Sequence, residues 1–250
     1  MKHCKHFRPG GMFCVMTAFS IAAFSLYGVI YPASSAHAAN DNPSNRGLRG
    51  QSVSGTADPT PLQVELEALS GYAEDIYDLA KMNRWNKTRK KLDDLKKFEQ
   101  SLKFNQSEES TFFSVRLRTT IAELEQAISA KNRRDTMHSA NKITLLETAM
   151  VGPLKPRVPT NVMLLDYCGR ELEIWSEEKN IDKLSNIVIR MHLIWQGLMP
   201  QLIEQGGTRE LKRFSEVMKR LEVAKTPDEY GHLARQVLDE VDNLEKVFKK

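Results

Sequence analysis

Few side chains in this 250-residue sequence could do chemistry, and their spacing narrows what that chemistry would be. Past the first 38 residues only three histidines remain: His138, His192 and His232. Two of them follow a methionine, as Met137-His138 and Met191-His192. Thioether and imidazole are ligand types for Cu(I) and for non-covalently held haem iron. His138, His192 and Met191 are therefore the candidate metal or haem ligands. Neighbouring residues on a helix point about 100° apart, so one dipeptide cannot offer both side chains to one site. A zinc site needs three or four ligands, which here would have to converge from separate helices. Glu229-Tyr230-Gly231-His232 sets a carboxylate and an imidazole three residues apart, as di-iron bundles do, but it occurs once and Glu229 also suits a helix cap. Asp166, Arg170 and Glu171 form a further polar group, with Asp166 and Arg170 one helical turn apart. They are the candidate cleft or interface residues. Gly169 beside them, costly in a helix, points to close approach of another backbone or a ligand. Cys168 falls at apolar spacing with Leu165, Leu172 and Trp175 and reads as a small buried hydrophobe.

Motifs with a defined mechanism are missing. The sequence contains no Gly-rich phosphate loop, no Gly-x-Ser-x-Gly, no His-Glu-x-x-His and no Cys-x-x-Cys-His. No catalytic residue is assigned, and an enzyme would need a convergent cluster around Asp166, Arg170 and Glu171.

The elements that would position these residues are helical. Apolar residues recur every three or four positions in Leu62, Leu66, Leu69, Ala73, Ile76, Ala80; in Leu117, Ile121, Leu124, Ile128; and in Tyr230, Ala234, Val237, Val241, Leu244, Phe248. No stretch alternates as a strand would. Caps and breakers predict helices over about 61–82, 84–104, 109–130, 134–150, 160–178, 182–204, 208–224 and 227–248, with Thr60-Pro61 and the capping box Thr226-Pro227-Asp228-Glu229 as starts. The eight helices pair into four hairpins around short turns at 81–84, 131–134, 179–182 and 225–228. An all-α fold follows, expected as two antiparallel four-helix bundles, residues 61–150 and 160–250, joined by a Pro-rich connector over 151–159. A solenoid of helical hairpins is the alternative.

Residues 1–38 read as a secretory signal peptide. Lys2, Lys5 and Arg8 precede the apolar run Met12–Ile30, and Pro32 and Ala36-His37-Ala38 follow it. Residues 39–60 are polar and aperiodic, as a flexible linker would be. The expected location is the periplasm or the medium, with no membrane span once the leader is cut. The whole chain holds 36 basic and 32 acidic residues; without the leader's three cations the balance is 33 to 32, a net +1. That gives no footprint for nucleic acid. Only Cys168 survives cleavage, so no internal disulfide supports the fold.

The aromatic residues Trp85, Trp175, Trp195 and Phe112-Phe113 could line a pocket or partner groove. Core spacing favours packing for Trp195. The basic stretch from Arg84 to Lys97 reads as a solvated helix face, with an acidic partner as the other use.

An exported four-helix bundle resembles, in plan, the b-type and c′-type four-helix cytochromes, although the haem-attachment motif of the latter is missing. The segment Asn161–Leu172, with Ala140–Thr144 and Leu238–Asp242, is similar to uncharacterised exported helical proteins of bacteria. That resemblance spans most of the mature chain and implies no site. The resulting expectation is a non-catalytic binding or accessory protein without a cofactor, which meets a protein or small ligand in the periplasm through an inter-bundle groove or a helix face. Haem or copper binding, in electron transfer or metal handling, is the alternative.

Overall fold

The computed structural model describes residues 59–103 and 108–249. The leader and nearly all of the expected linker lie outside them. Among the described residues there are eight α-helices and no strand: α1 Pro61–Lys81, α2 Trp85–Ser101, α3 Glu108–Ser129, α4 Arg133–Val151, α5 Thr160–Glu177, α6 Ile181–Glu204, α7 Thr208–Val223 and α8 Pro227–Phe248. The all-α expectation holds, and most ends fall within one residue of those read from caps.

Local chemistry sets those ends. Thr60 and Thr226 each cap a helix that begins with proline, and each makes a reciprocal box with the residue three positions on: Gln63 for α1, Glu229 for α8. At the C-termini of α1, α3, α5 and α6 the chain turns in a Schellman motif. The amide N–H groups of Arg84, Asn132, Asn180 and Gly207 reach back to the carbonyls of Leu79, Ala127, Trp175 and Leu202, at 2.8–3.1 Å. The left-handed residue of each motif is Asn83, Lys131, Lys179 or Gly206, with φ between 51° and 74°. Asn132 and Asn180 then cap α4 and α6 by accepting from the backbone N–H of Asp135 and Lys183.

A lysine in that conformation carries a steric cost of about 1–2 kcal/mol. Lys131 and Lys179 are exposed, so exchanging them touches little but the backbone. Lys131→Gly and Lys179→Gly are each expected to stabilise the fold by about 0.5–1 kcal/mol, after the greater freedom of unfolded glycine is discounted. The pair should raise Tm by about 2–8 °C in a thermal melt; an unchanged or lower Tm would show that the turns are unstrained.

The predicted stripes are the buried faces. Leu66, Leu69, Ala73, Ile76 and Ala80 are buried, as are the named residues of α3 and α8, whereas Leu62 in the first turn of α1 stays 37% exposed. Two apolar cores result. α1 lies against α2 and α4, and α3 against α2 and α4, around Leu69, Ile76, Leu95, Leu117, Leu124 and Ile143. In the second half α5 lies against α6 and α8, and α7 against α6 and α8, around Leu165, Leu184, Trp195, Phe214 and Val237.

The halves meet where α4 packs on α5. Ile174 of α5 is buried in the first core, and Met163 touches both. The connector between α4 and α5 is fastened at two points. Its 3-10 turn Gly152–Leu154 accepts a hydrogen bond from the Gln63 side chain at the Leu154 carbonyl (3.1 Å), and Arg157 donates to the Phe248 carbonyl (2.9 Å). The described residues form one compact unit. Among the described residues no helix is long and apolar enough to cross a membrane.

Candidate functional site: a polar seam along helix α5

The candidate residues Asp166, Arg170 and Glu171 lie on α5 where it faces the first half. Asp166, Arg170, Glu173 and Glu177 follow at i, i+4, i+7 and i+11 and share one face. Glu171, Trp175 and Glu178 share the next. Each face meets a partner helix.

The first face meets Glu74, Tyr77 and Lys81 of α1 and Arg133 of α4. Arg170 Nη1 is 2.5 Å from Asp166 Oδ2, an ion pair off hydrogen-bond geometry, and its Nη2 is 3.5 Å from Glu74 Oε1. The guanidinium also sits 5.6 Å from the Tyr77 ring centroid. Tyr77 donates its hydroxyl to Glu173 Oε2 at 2.8 Å, and Lys81 pairs with the other oxygen of Glu173. Arg133 holds Glu177 with both ends of its fork, at 2.5 and 2.8 Å. Burial, then the charge of Glu173 beside it, pushes the Tyr77 phenol far above its ordinary value, so it keeps its proton and donates it to Glu173.

The second face meets α4. Glu171 Oε2 accepts from Trp175 Nε1 at 2.8 Å, and its Oε1 accepts from Asn141 Nδ2 at 2.9 Å. His138 Nε2 stands 3.1 Å from Glu178 Oε1, and Nδ1 stands 3.6 Å from Glu171. The imidazole packs on Trp175, with ring centroids 4.8 Å apart. Burial alone would lower the His138 pKa; the hydrogen bond and charge of Glu171, then those of Glu178, outweigh it and raise the pKa. Burial acts on Glu171 in the opposite sense, and its bonds from His138, Asn141 and Trp175 hold it below the ordinary carboxylate range.

Beyond Arg170 the seam turns acidic. Burial is the main cause that lifts Asp166 to about 7; Arg170 opposes it, while Glu74, Glu245 and Asp242 add to it. Glu147 of α4, 3% exposed, is pushed up to about 8 by burial and then by Glu74 and Glu67.

The three residues chosen from sequence are thus brought together, but they fasten helices rather than line an opening. Their side chains are only 13–18% exposed. A hollow of about 660 Å³ lies elsewhere, open to solvent at the turn between α7 and α8, beside Arg220, Val223, Glu229, His232 and Arg235. Gly169 makes its close approach to side chains of α8: an added Cβ would come within 2.7 Å of Leu238 and 3.1 Å of Val237.

The metal candidates separate. Met137 is buried in the first core while His138 turns to the seam. Met191 is fully buried in the second core, and His192 pairs with Glu222 at 2.6 Å on a half-exposed surface. His232 is exposed. Among the described residues no group of three or more His, Cys, Asp or Glu side chains is arranged to hold a metal ion. Cys168 is buried, and burial raises its thiol to about 12. Glu229 caps α8; backbone bonds from Lys225 and Thr226 hold its carboxyl low. Trp195 stacks 4.6 Å from Phe214 in the core. On α2, Lys91 pairs with Asp75 and Lys96 with Glu125.

One surface was not legible as a site beforehand. The outward side of α6 carries Ile189, Leu193 and Ile203, each 60–63% exposed, with Pro200 also exposed between them. These positions fall at i, i+4, i+11 and i+14, on one side of the helix. From Met191 to Ile203 there is no Asp, Glu, Lys or Arg. The signal was present as apolar residues in excess of those the core spacing needs.

Compared with family models, curated proteins and solved structures, the chain has no match.

Proposed function

We propose that this chain is an exported, non-catalytic helical protein that docks a partner protein along the outward face of α6. The observation that carries the reading is the stripe Ile189, Leu193, Pro200, Ile203, about 21 Å long at 1.5 Å per residue, with exposed Gln196 in its middle and no acidic or basic residue from Met191 to Ile203. Contiguous exposed apolar surface of this kind marks interaction sites. A stripe that runs along one exposed side of a helix suits the apolar face of an amphipathic helix better than a compact ligand. Pro200 has no N–H, so the Gln196 carbonyl on the same side loses its usual i+4 donor. Export rests on the leader pattern of residues 1–38. A helix face is favoured over an inter-bundle groove because the seam is filled by paired side chains.

A photo-crosslinker placed at Leu193 in the exporting cell tests this. The expected product is a crosslink mapping to apolar positions spaced three or four apart in a helical segment of another protein, and lost in Ile189→Lys/Ile203→Lys. A crosslink only to a second copy of the chain, or none, would overturn it.

A further inference from the structure

We infer that the hollow between the last turn of α7 and the first turns of α8 binds a small organic anion, its phosphate or carboxylate head on Arg220, His232 and Arg235 and its apolar body against Val223 and Leu233.

Helical spacing gathers these groups. Arg220 and Val223 lie one turn apart on α7, and His232, Arg235 and Gln236 fall at i, i+3 and i+4 on α8. The volume of about 660 Å³ lies within the span of small-molecule sites, roughly 300–1,000 Å³. Leu233, 4% exposed, and Val223, 71% exposed, give the hollow an apolar side from its depth to its rim.

The charge there is unbalanced, and a neighbouring pair on the same two helices shows how. Arg213 of α7 grips Glu240 of α8 at 2.7 and 3.0 Å. Arg220 lies two turns further along α7, and its partner one turn back on α8 is Gln236, at 2.5 Å. A neutral amide thus stands where the neighbouring pair has a carboxylate. Gln236 orients the guanidinium without cancelling its charge and leaves further N–H groups of the fork for a ligand. His232 and Arg235 are exposed and have neither a hydrogen bond nor an ion pair among the described residues. The acid of the lining, Glu229, is engaged by the helix start: its Oε2 accepts from the backbone N–H of Lys225 at 2.8 Å and of Thr226 at 3.0 Å. Glu222, next to Val223 in sequence, is taken by His192 of α6 at 2.6 Å.

An anion in the hollow meets two guanidinium groups and an imidazole, which carries an N–H donor even when neutral. Guanidinium forks match the oxygens of carboxylate and phosphate. Surface cations alone hold any anion weakly and release it in salt. The apolar side adds what they lack, a preference for an anion that carries hydrocarbon.

NMR titration of the exported chain, followed at the His232 ring at constant pH and ionic strength, tests this with n-butyl phosphate and inorganic phosphate as probes. A saturable shift is expected, with butyl phosphate bound at least about threefold more tightly than inorganic phosphate. Arg235→Gln should weaken both probes about tenfold. Gln236→Glu, which gives Arg220 the carboxylate that Arg213 already has, should do the same and leaves the cations in place. Val223→Ser, at an exposed position, should remove most of the preference for butyl phosphate. A shift that does not saturate, equal binding of the two probes, or affinities that Arg235→Gln and Gln236→Glu leave unchanged would overturn the site.

Discussion

Arg170→Met is expected to destabilise the protein by about 3–5 kcal/mol at pH 8, read as a lower midpoint of urea unfolding. The substitution keeps much of the side-chain volume and removes the cation paired with Asp166. What remains is a carboxylate, 18% exposed, among Glu74, Asp242 and Glu245. Removing one member of a buried pair costs more than the pair contributes, because the surviving charge stays desolvated. At pH 5 the cost should shrink markedly, since Asp166 then holds its proton with or without Arg170. Arg170→Met/Asp166→Leu should recover most of the loss at pH 8. A single variant that loses less than about 1 kcal/mol, equally at both pH values, would mean that solvent reaches the pair and the seam is not closed there.

The sequence displayed this fold along its length far better than across it. Helix ends were legible because proline, threonine caps and short polar turns act within four residues, and apolar spacing showed the faces of α1, α3 and α8 directly. The seam was half visible. Asp166 and Arg170 announced themselves one turn apart, and the continuation through Glu173 and Glu177 was there to be read as a polar stripe on an otherwise apolar helix. Their partners were not. Tyr77 sits at core spacing on α1 and looks like ordinary packing, yet its hydroxyl reaches Glu173, 96 residues away. Glu147 looks like any surface glutamate until α1 is laid over it. Pairing of this range is decided by how helices stack, which local periodicity does not encode. The same limit applies to Met137-His138: the dipeptide suggests a shared site, and helical geometry sends one side chain to the core and the other to the seam. On α6 the exposed stripe was hidden in plain view, because an apolar residue on a helix is first assigned to a core.

Phe214→Ala is expected to cost about 3–5 kcal/mol, by loss of transfer energy and by the cavity left against Trp195. Its sharper consequence concerns the first half, which Phe214 does not touch. Ile174 reaches from α5 into the first core, Met163 lies on both cores, and Tyr77–Glu173 and Arg133–Glu177 cross the seam. An unfolded second half would strand Ile174 and cost Tyr77, Arg133, His138 and Asn141 their partners on α5. Unfolding should therefore be a single transition, in which Phe214→Ala lowers the midpoint of α1–α4 as much as that of α5–α8. Hydrogen exchange at increasing urea resolves the two halves in one experiment. If α1 and α4 keep the original midpoint while α5 to α8 open earlier, the halves are energetically separate domains and the seam is only a contact between them. A shared shift would make the seam part of one cooperative fold, so that a proton gained or lost there is felt in both cores.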